Sequence, residues 1–255
     1  MKTSRLVAPV AALVLAVSGC VSGDGGDGPA GTISPSGAGA SASSAPPSEP
    51  AGGASPSNQA SPASGLSRGA QAVVDAFVKA NEGATELPAD QLDPEAAAKS
   101  LEKIQVSPQE CKDAALSAQD PEVLRDAVLG GAFAQDAETG NSTVLSVAEF
   151  KDASVKQHMR TGRDNADQCP KLELEMGGQK ATTALKVLDA PSVEGMDDAY
   201  VLSSTTTSQG QTHEAFTGVA GRGKVMITIA VTTLDGSRDA KDVDRLLAES
   251  AKALG

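Results

Sequence analysis

The sequence predicts an α+β fold for residues 66–255: an antiparallel sheet meander with helices packed on one face and one disulfide. Three observations carry that expectation. The first part of the segment has helix caps and helical apolar spacing, the later part alternates with the two-residue period of strands, and short glycine-containing turns join the alternating runs. Short turns suit hairpins and leave no length for crossover helices, so the sheet is expected to be antiparallel.

The elements follow in order. Ser67 is placed to cap a helix running to Asn81, with Ala70, Val73, Val74, Phe77 and Val78 on one face. Asp93-Pro94 and Asp120-Pro121 each pair an N-cap acceptor with proline at the first helical position, and Ser107-Pro108-Gln109-Glu110 reads as a capping box. The helix begun at Asp120 should stop at Gly130-Gly131. Val144 to Phe150 reads as a strand after a turn at Thr139-Gly140-Asn141, and residues 153–168 as a helix whose middle Gly162 weakens. Leu172, Leu174 and Met176 alternate with Lys171, Glu173 and Glu175, the pattern of a half-buried strand, and Gly177-Gly178 supplies a two-residue hairpin turn into residues 181–188. Tyr200 to Thr207 and Val225 to Thr233 are rich in β-branched residues, with Gly221, Arg222 and Gly223 turning the chain before the second of them. A closing helix from about Asp239 puts Val243, Leu246, Leu247, Ala251 and Leu254 on its apolar face.

Ahead of this segment, residues 1–19 read as a lipoprotein signal peptide. Lys2 and Arg5 precede an apolar run from Leu6 to Val17, too short to span a bilayer and suited to secretion. The run ends Val17-Ser18-Gly19-Cys20, which resembles the bacterial lipobox; the alternative is an ordinary signal peptide with an unrelated cysteine. Cys20 is thus the expected lipidation site, and two acyl chains would make attachment to the plasma membrane durable. Residues 20–65 then form the lipidated cysteine and a disordered linker. In 21–65, 37 of 45 residues are Gly, Ser, Pro or Ala, a composition unable to offset the entropy of folding. A flexible tether of this length reaches roughly 35–40 Å.

Charge excludes one class of partner. Lys+Arg number 21 against Asp+Glu 33, a net charge of −12, which argues against nucleic acid. After Cys20 the cysteines are Cys111 and Cys169, 58 residues apart. An even pair outside the membrane is read as a disulfide, worth about 4 kcal/mol through loop closure, with two buried free thiols as the alternative. Neither His158 nor His213 sits at ligand spacing from a cysteine, so no metal site is expected, and no cofactor either.

The order Ser107-Pro108-x-x-Cys111, Val147-Ala148-Glu149-Phe150, Gln168-Cys169, then Ala220-Gly221-Arg222-Gly223-Lys224-Val225 before the last strand resembles the extracellular sensor domains of PknH-like mycobacterial kinases and their lipoprotein relatives in actinobacteria. The likeness covers about residues 105–255, and a weaker one is to PsbP-like lipoprotein folds. The resemblance implies a sheet-and-helix sensor module on the outer face of the membrane; no binding residues are carried over from it.

Several short motifs imitate chemistry. Gly65-Leu66-Ser67-Arg68-Gly69 matches a nucleophile elbow, but a linker and not a strand precedes it, so Ser67 is expected to cap a helix. Gly218 to Lys224 matches the first seven positions of a P-loop, yet Val225 stands where Ser or Thr should hold magnesium, and a strand follows in place of a helix. Glu194, Asp197 and Asp198 form an acidic cluster, expected to be a solvated loop. His213 is expected at the surface near a hairpin tip, His158 exposed on a polar helix, and Asn141-Ser142-Thr143 is a formal sequon expected to go unused. Five aromatics (Phe77, Phe133, Phe150, Tyr200, Phe216) are too few for stacking grooves and are expected to pin the core. The sequence therefore favours a non-catalytic binding or sensor module at the cell envelope, with an unknown envelope protein or small ligand as partner. The alternative is a carrier holding a lipid or small apolar ligand in an aliphatic cavity under the sheet.

Overall fold

The computed structural model describes residues 65–255 except 119–123, 125, 126, 153, 154 and 189–191. The signal peptide, Cys20, nearly all of the linker and the Asp120-Pro121 helix start lie outside the described residues.

In chain order the described elements are α1 (Arg68–Ala80), β1 (Thr85–Glu86), a 3-10 turn (Ala89–Leu92), α2 (Pro94–Glu102), β2 (Gln105–Ser107), α3 (Gln109–Ala118), β3 (Val128–Gln135), β4 (Ser142–Glu149), α4 (Val155–Gln168), β5 (Lys171–Met176), β6 (Gln179–Leu188), β7 (Asp198–Ser208), β8 (Gln211–Arg222), β9 (Val225–Thr233) and α5 (Ala240–Leu254). The strands form one nine-stranded antiparallel sheet in the order β1-β3-β4-β9-β8-β7-β6-β5-β2. The five-strand meander expected from the turn spacing is β5 to β9. Gly177 and Gly178 both hold positive φ, 57° and 78°, the conformation a two-residue hairpin turn with strand-matched twist demands.

The caps behave as their chemistry dictates. Ser67 accepts from the Ala70 amide, Asp93 from the Glu95 amide with Pro94 at the first turn, and Asp239 forms a reciprocal capping box with Asp242. Ser107 does not cap α3. It is the last residue of β2, paired with Glu173 of β5, and the helix begins two residues later at Gln109.

The α+β class, the meander and the disulfide are as expected, but the helices cover both faces of the sheet. On one face Leu145, Val147, Val201, Ile227, Ile229 and Val231 pack with Val73, Val74 and Phe77 of α1 and Val243, Leu246 and Leu247 of α5. On the other, Tyr200, Leu202, Val219 and Met226 pack with Val155, Met159 and Ala166 of α4, while Val144 and Ala230 meet Leu87 and Leu92. The α3 segment, with Leu101 and Ile104, covers Leu172, Leu174 and Ala181 on that same side. The cause is visible in β9, where residues of both parities are apolar and buried.

Gly130-Gly131, expected to end a helix, lies inside β3. Successive strand residues face opposite sides, and each glycine lies under a different layer. A Cβ on Gly130 would run into Leu66 Cδ1 beside Val74, and one on Gly131 would lie 2.7 Å from the Leu145 carbonyl oxygen. Gly221, expected in a turn, likewise lies within β8 against Met159, and the turn itself is Gly223-Lys224.

Gly131→Ala should therefore lower stability by about 1–3 kcal/mol, because a backbone oxygen of the adjacent central strand cannot move aside. Gly130→Ala meets the end of the Leu66 side chain, which can rotate where a backbone oxygen cannot, and should cost less. Urea unfolding of the two variants checks the order.

Candidate functional site

The residues that imitate catalytic motifs are occupied by structural work. Ser67 caps α1 and donates its own amide to Glu149 Oε2 at 2.7 Å, and the P-loop-like run is the end of β8 and its turn into β9. The acidic cluster is split between two tasks. Asp197 Oδ2 accepts from the Gly223 amide at 2.9 Å, and Asp198 accepts from Arg163 of α4 at 3.0 Å, while Glu194 is exposed. Among the described residues no three His, Cys, Asp or Glu side chains converge to hold a metal ion.

Asn141 of the formal sequon is 4 % exposed, which closes it to modification. Its amide donates to Asp235 Oδ1 and Ser237 Oγ, both at 2.9 Å, and its oxygen accepts from the Leu234 amide at 2.8 Å. These bonds tie the start of β4 to the chain leaving β9. They also hold the Asp235 carboxyl well below the usual carboxylate range, with the Asn141 bond the largest cause.

The Arg163–Asp198 pair is half-exposed, and the guanidinium also lies over the Tyr200 ring, 5.2 Å from its centroid. Tyr200 is buried, and burial raises its phenol pKa above the ordinary value, so it stays neutral. Gly162 explains itself here: a Cβ would stand 2.6 Å from the Tyr200 hydroxyl, so the glycine that weakens α4 lets the helix settle on the ring.

Both histidines depart from the expected exposure. His158 is half-buried with its ring 5.8 Å from Phe150, and desolvation lowers its pKa from 6.5. His213 is half-buried too, with Nδ1 enclosed and without a hydrogen-bond partner among the described residues.

The feature that motif reading missed is a floor of small hydroxyls on the α4 face of the sheet. Residues directly opposite in register share a face, so Thr217, facing Leu202, and Thr228, facing Val219, belong to the α4 side, as does Ser204, two residues beyond Leu202 on β7. Thr206 lies beyond Ser204 on the same side, flanked in register by Thr183 of β6 and His213 of β8. All five hydroxyl residues are buried, between 1 % and 5 % exposed. Thr183 and Thr206 bond each other at 2.9 Å, and Ser204 makes a 3.4 Å contact with the Ala215 carbonyl. Among the described residues Thr217 Oγ1 has no hydrogen-bond partner. The alternation of β7 carries the signal, because Ser204 and Thr206 continue the parity of Tyr200 and Leu202 at positions where a core would place aliphatics.

A shallow groove of about 530 Å³ runs beside the β2–β5–β6 edge and is lined by Gln105, Ser107, Lys112, Glu173, Glu175, Lys180 and Thr182 among others. Its cations are already engaged, Lys180 with Glu175 at 3.6 Å and Lys112 with the Glu102 carbonyl at 3.1 Å.

No family model matches the chain, and no curated protein matches it in sequence. Two mycobacterial crystal and X-ray structures are similar to it in chain path. The extracellular domain of PknH from Mycobacterium tuberculosis matches at 12 % identity and a TM-score of 0.44, covering 58 % of this chain and 77 % of that one. A putative uncharacterized protein (Rv0999 ortholog) from Mycobacterium smegmatis matches at 15 % identity and a TM-score of 0.43, covering 72 % of this chain and 95 % of that one. The first is a domain of the kind that the order of motifs in the sequence resembles.

The half-buried His158 gives a pH dependence with a definite sign. A histidine whose folded pKa is depressed binds its proton more readily in the unfolded chain, so its contribution is complete above 6.5 and is lost as pH falls from there toward the folded value. Thermal melts across that window should show a loss of stability in the native chain that His158→Gln reduces; an identical pH slope in both would refute the assignment.

Proposed function

We propose that the chain is a non-catalytic binding or sensor module of the cell envelope, held on the outer face of the plasma membrane by lipidated Cys20 and raised by the 21–65 tether. The observation that carries this reading is the bond between Cys111 and Cys169, whose Cα atoms stand 5.7 Å apart across a separation of 58 residues. Such a bond belongs to an oxidising compartment. It supports the secretory reading of Lys2 to Cys20 from a part of the chain independent of it. The net charge of −12 argues against nucleic acid as partner and leaves an envelope protein or a small ligand.

Binding is favoured over catalysis because Ser67, Asp197 and Asp198 are each committed to structural bonds. The polar floor bears on the lipid-carrier alternative. A cavity for an acyl chain needs aliphatic walls, whereas the buried α4 face presents hydroxyls at Ser204, Thr206, Thr217 and Thr228. A polar ligand suits that surface better than a lipid.

Two measurements check the proposal. Cys20→Ala should release the protein to the medium or leave it unprocessed, and membrane retention of a processed variant would refute the anchor. Under non-reducing denaturing conditions both Cys111 and Cys169 should resist thiol alkylation until reductant is added; free labelling of both would remove the argument for the compartment.

A further inference from the structure

A set of exposed cations is gathered at one end of the sheet. Register brings the start of β3, the end of β4, the end of β8 and the start of β9 together there, because Glu149 pairs with both Val128 and Val225, and Val225 with Arg222. α1 begins at the same end, where the Ser67 amide meets Glu149. So does α4, whose Val155 and Met159 press on Gly221. Arg68, Lys151, Lys156, Arg160, Arg222 and Lys224 thus share this end, and all are exposed. The turn that carries two of them is held in place. Gly223 donates to Asp197, the Lys224 carbonyl accepts from the Phe150 amide at 2.9 Å, and the Lys224 ammonium donates to the Lys151 carbonyl. Two lysines are thereby kept side by side, a repulsion that an anion lying over them relieves.

The acids nearby are largely turned onto the protein: Glu149 and Asp197 accept from backbone amides, and Asp198 is paired with Arg163. Asp152 and Glu194 lie exposed among the cations but do not balance them, and Asp164 and Asp167 fall in the second half of α4, toward Cys169. The opposite end is acidic, with Asp136, Glu138, Glu214, Asp235 and Asp239 exposed around the β3–β4 turn, the start of β8 and the exit of β9. β7 runs between the two ends from Asp198 to Ser208, about 33 Å. The Debye length at physiological salt is about 8 Å. The net charge of −12 therefore does not oppose the approach of an anionic surface to the cationic end.

The point of attachment selects that surface. Leu66 is buried and Ser67 is bonded to Glu149, so the 21–65 segment joins the domain at this end. A tether of that length lets the domain stand clear of the bilayer, yet it keeps the headgroups at high effective concentration, so that a weak electrostatic contact suffices. We infer that the end of the sheet carrying Arg68, Lys151, Lys156, Arg160, Arg222 and Lys224 is a contact surface for the anionic lipid headgroups of the membrane that anchors the chain. Contact there turns the acidic end outward. The inference deepens the anchored reading and rests on it.

The test uses the full chain, purified from membranes and reconstituted in two kinds of vesicle: phosphatidylcholine alone, and phosphatidylcholine mixed with phosphatidylglycerol. Lysines are labelled with a water-soluble acylating reagent and read by mass spectrometry. Lys151, Lys156 and Lys224 should label roughly threefold more slowly on the anionic vesicles than on the neutral ones, and high salt should abolish the difference. Lys180 and Lys241, at the far end, should label alike on both. Arg68→Glu combined with Arg222→Glu should remove the protection, and Arg68→Lys combined with Arg222→Lys should keep it. The inference is overturned if the three lysines label alike on both vesicles, or if Lys180 and Lys241 are protected as strongly. Protection on intact cells but not on anionic vesicles also overturns it, by assigning the patch to another anionic surface of the envelope. The mass of the N-terminal peptide separates the two levels: an acylated Cys20 with unprotected lysines removes this surface alone, and a Cys20 without acyl groups removes the anchored reading as well.

Discussion

Burial of β9 on both faces is the constraint from which the rest of the architecture follows. Its nine residues from Val225 to Thr233 are almost all enclosed, with Ile227, Ile229 and Val231 toward α1 and α5 and Met226, Thr228 and Ala230 toward the other side. A strand so enclosed needs partners on both edges and cover on both faces. β4 and β8 supply the edges, and α1 and α5 cover one face. The remaining face is covered in pieces by α4, by the α3 segment and by Leu87 and Leu92. Two close contacts follow from that double cover: Gly131 under the leucines, and Gly162 under the Tyr200 hydroxyl.

Much of this was legible in the sequence because local chemistry and tertiary role agree there. Gly177-Gly178 could only be a tight turn, Asp93-Pro94 could only start a helix, and Val225 to Thr233 had no other reading than a buried strand. Legibility failed where a residue answers to a distant neighbour. Gly130-Gly131 looks like a helix stop, and nothing within a few residues announces that Leu66 and Leu145 press on it from two sides. His158 sits in a helix of low apolar content, and its ring packs beside Phe150, a neighbour that helical spacing does not announce. The division of helices between two faces could have been drawn from the two parities of β9, but the half-buried alternation of β5 suggested a sheet open on one side.

The hydroxyl floor was hidden for a different reason. Threonine favours strands for its branched Cβ, so Thr205, Thr206 and Thr207 read as strand propensity whatever they face. Register separates them. Thr206 is buried against Thr183, whereas Thr207 is exposed and bonds Thr212 at 3.1 Å. Pairing partners, invisible without the fold, thus turn an undifferentiated threonine run into one inward and one outward surface.

The disulfide acquires its meaning from the same arrangement. Cys111 lies in α3 and Cys169 follows α4, so the bond joins two of the elements that roof the hydroxyl face. Asn165 of α4 adds a hydrogen bond to the Ala114 carbonyl of α3 at 2.9 Å, a second tie between the same helices. The surface beneath this roof is mixed, with Leu172, Leu202 and Val219 beside the hydroxyls of Ser204, Thr206 and Thr217, so apolar contact holds it less strongly than an all-aliphatic face would. Closing a 58-residue loop contributes about 4 kcal/mol through the unfolded state and asks nothing of the sheet surface. A covalent tie in the roof thus lets the floor stay polar, which a core dependent on hydrophobic contact at that position would not allow.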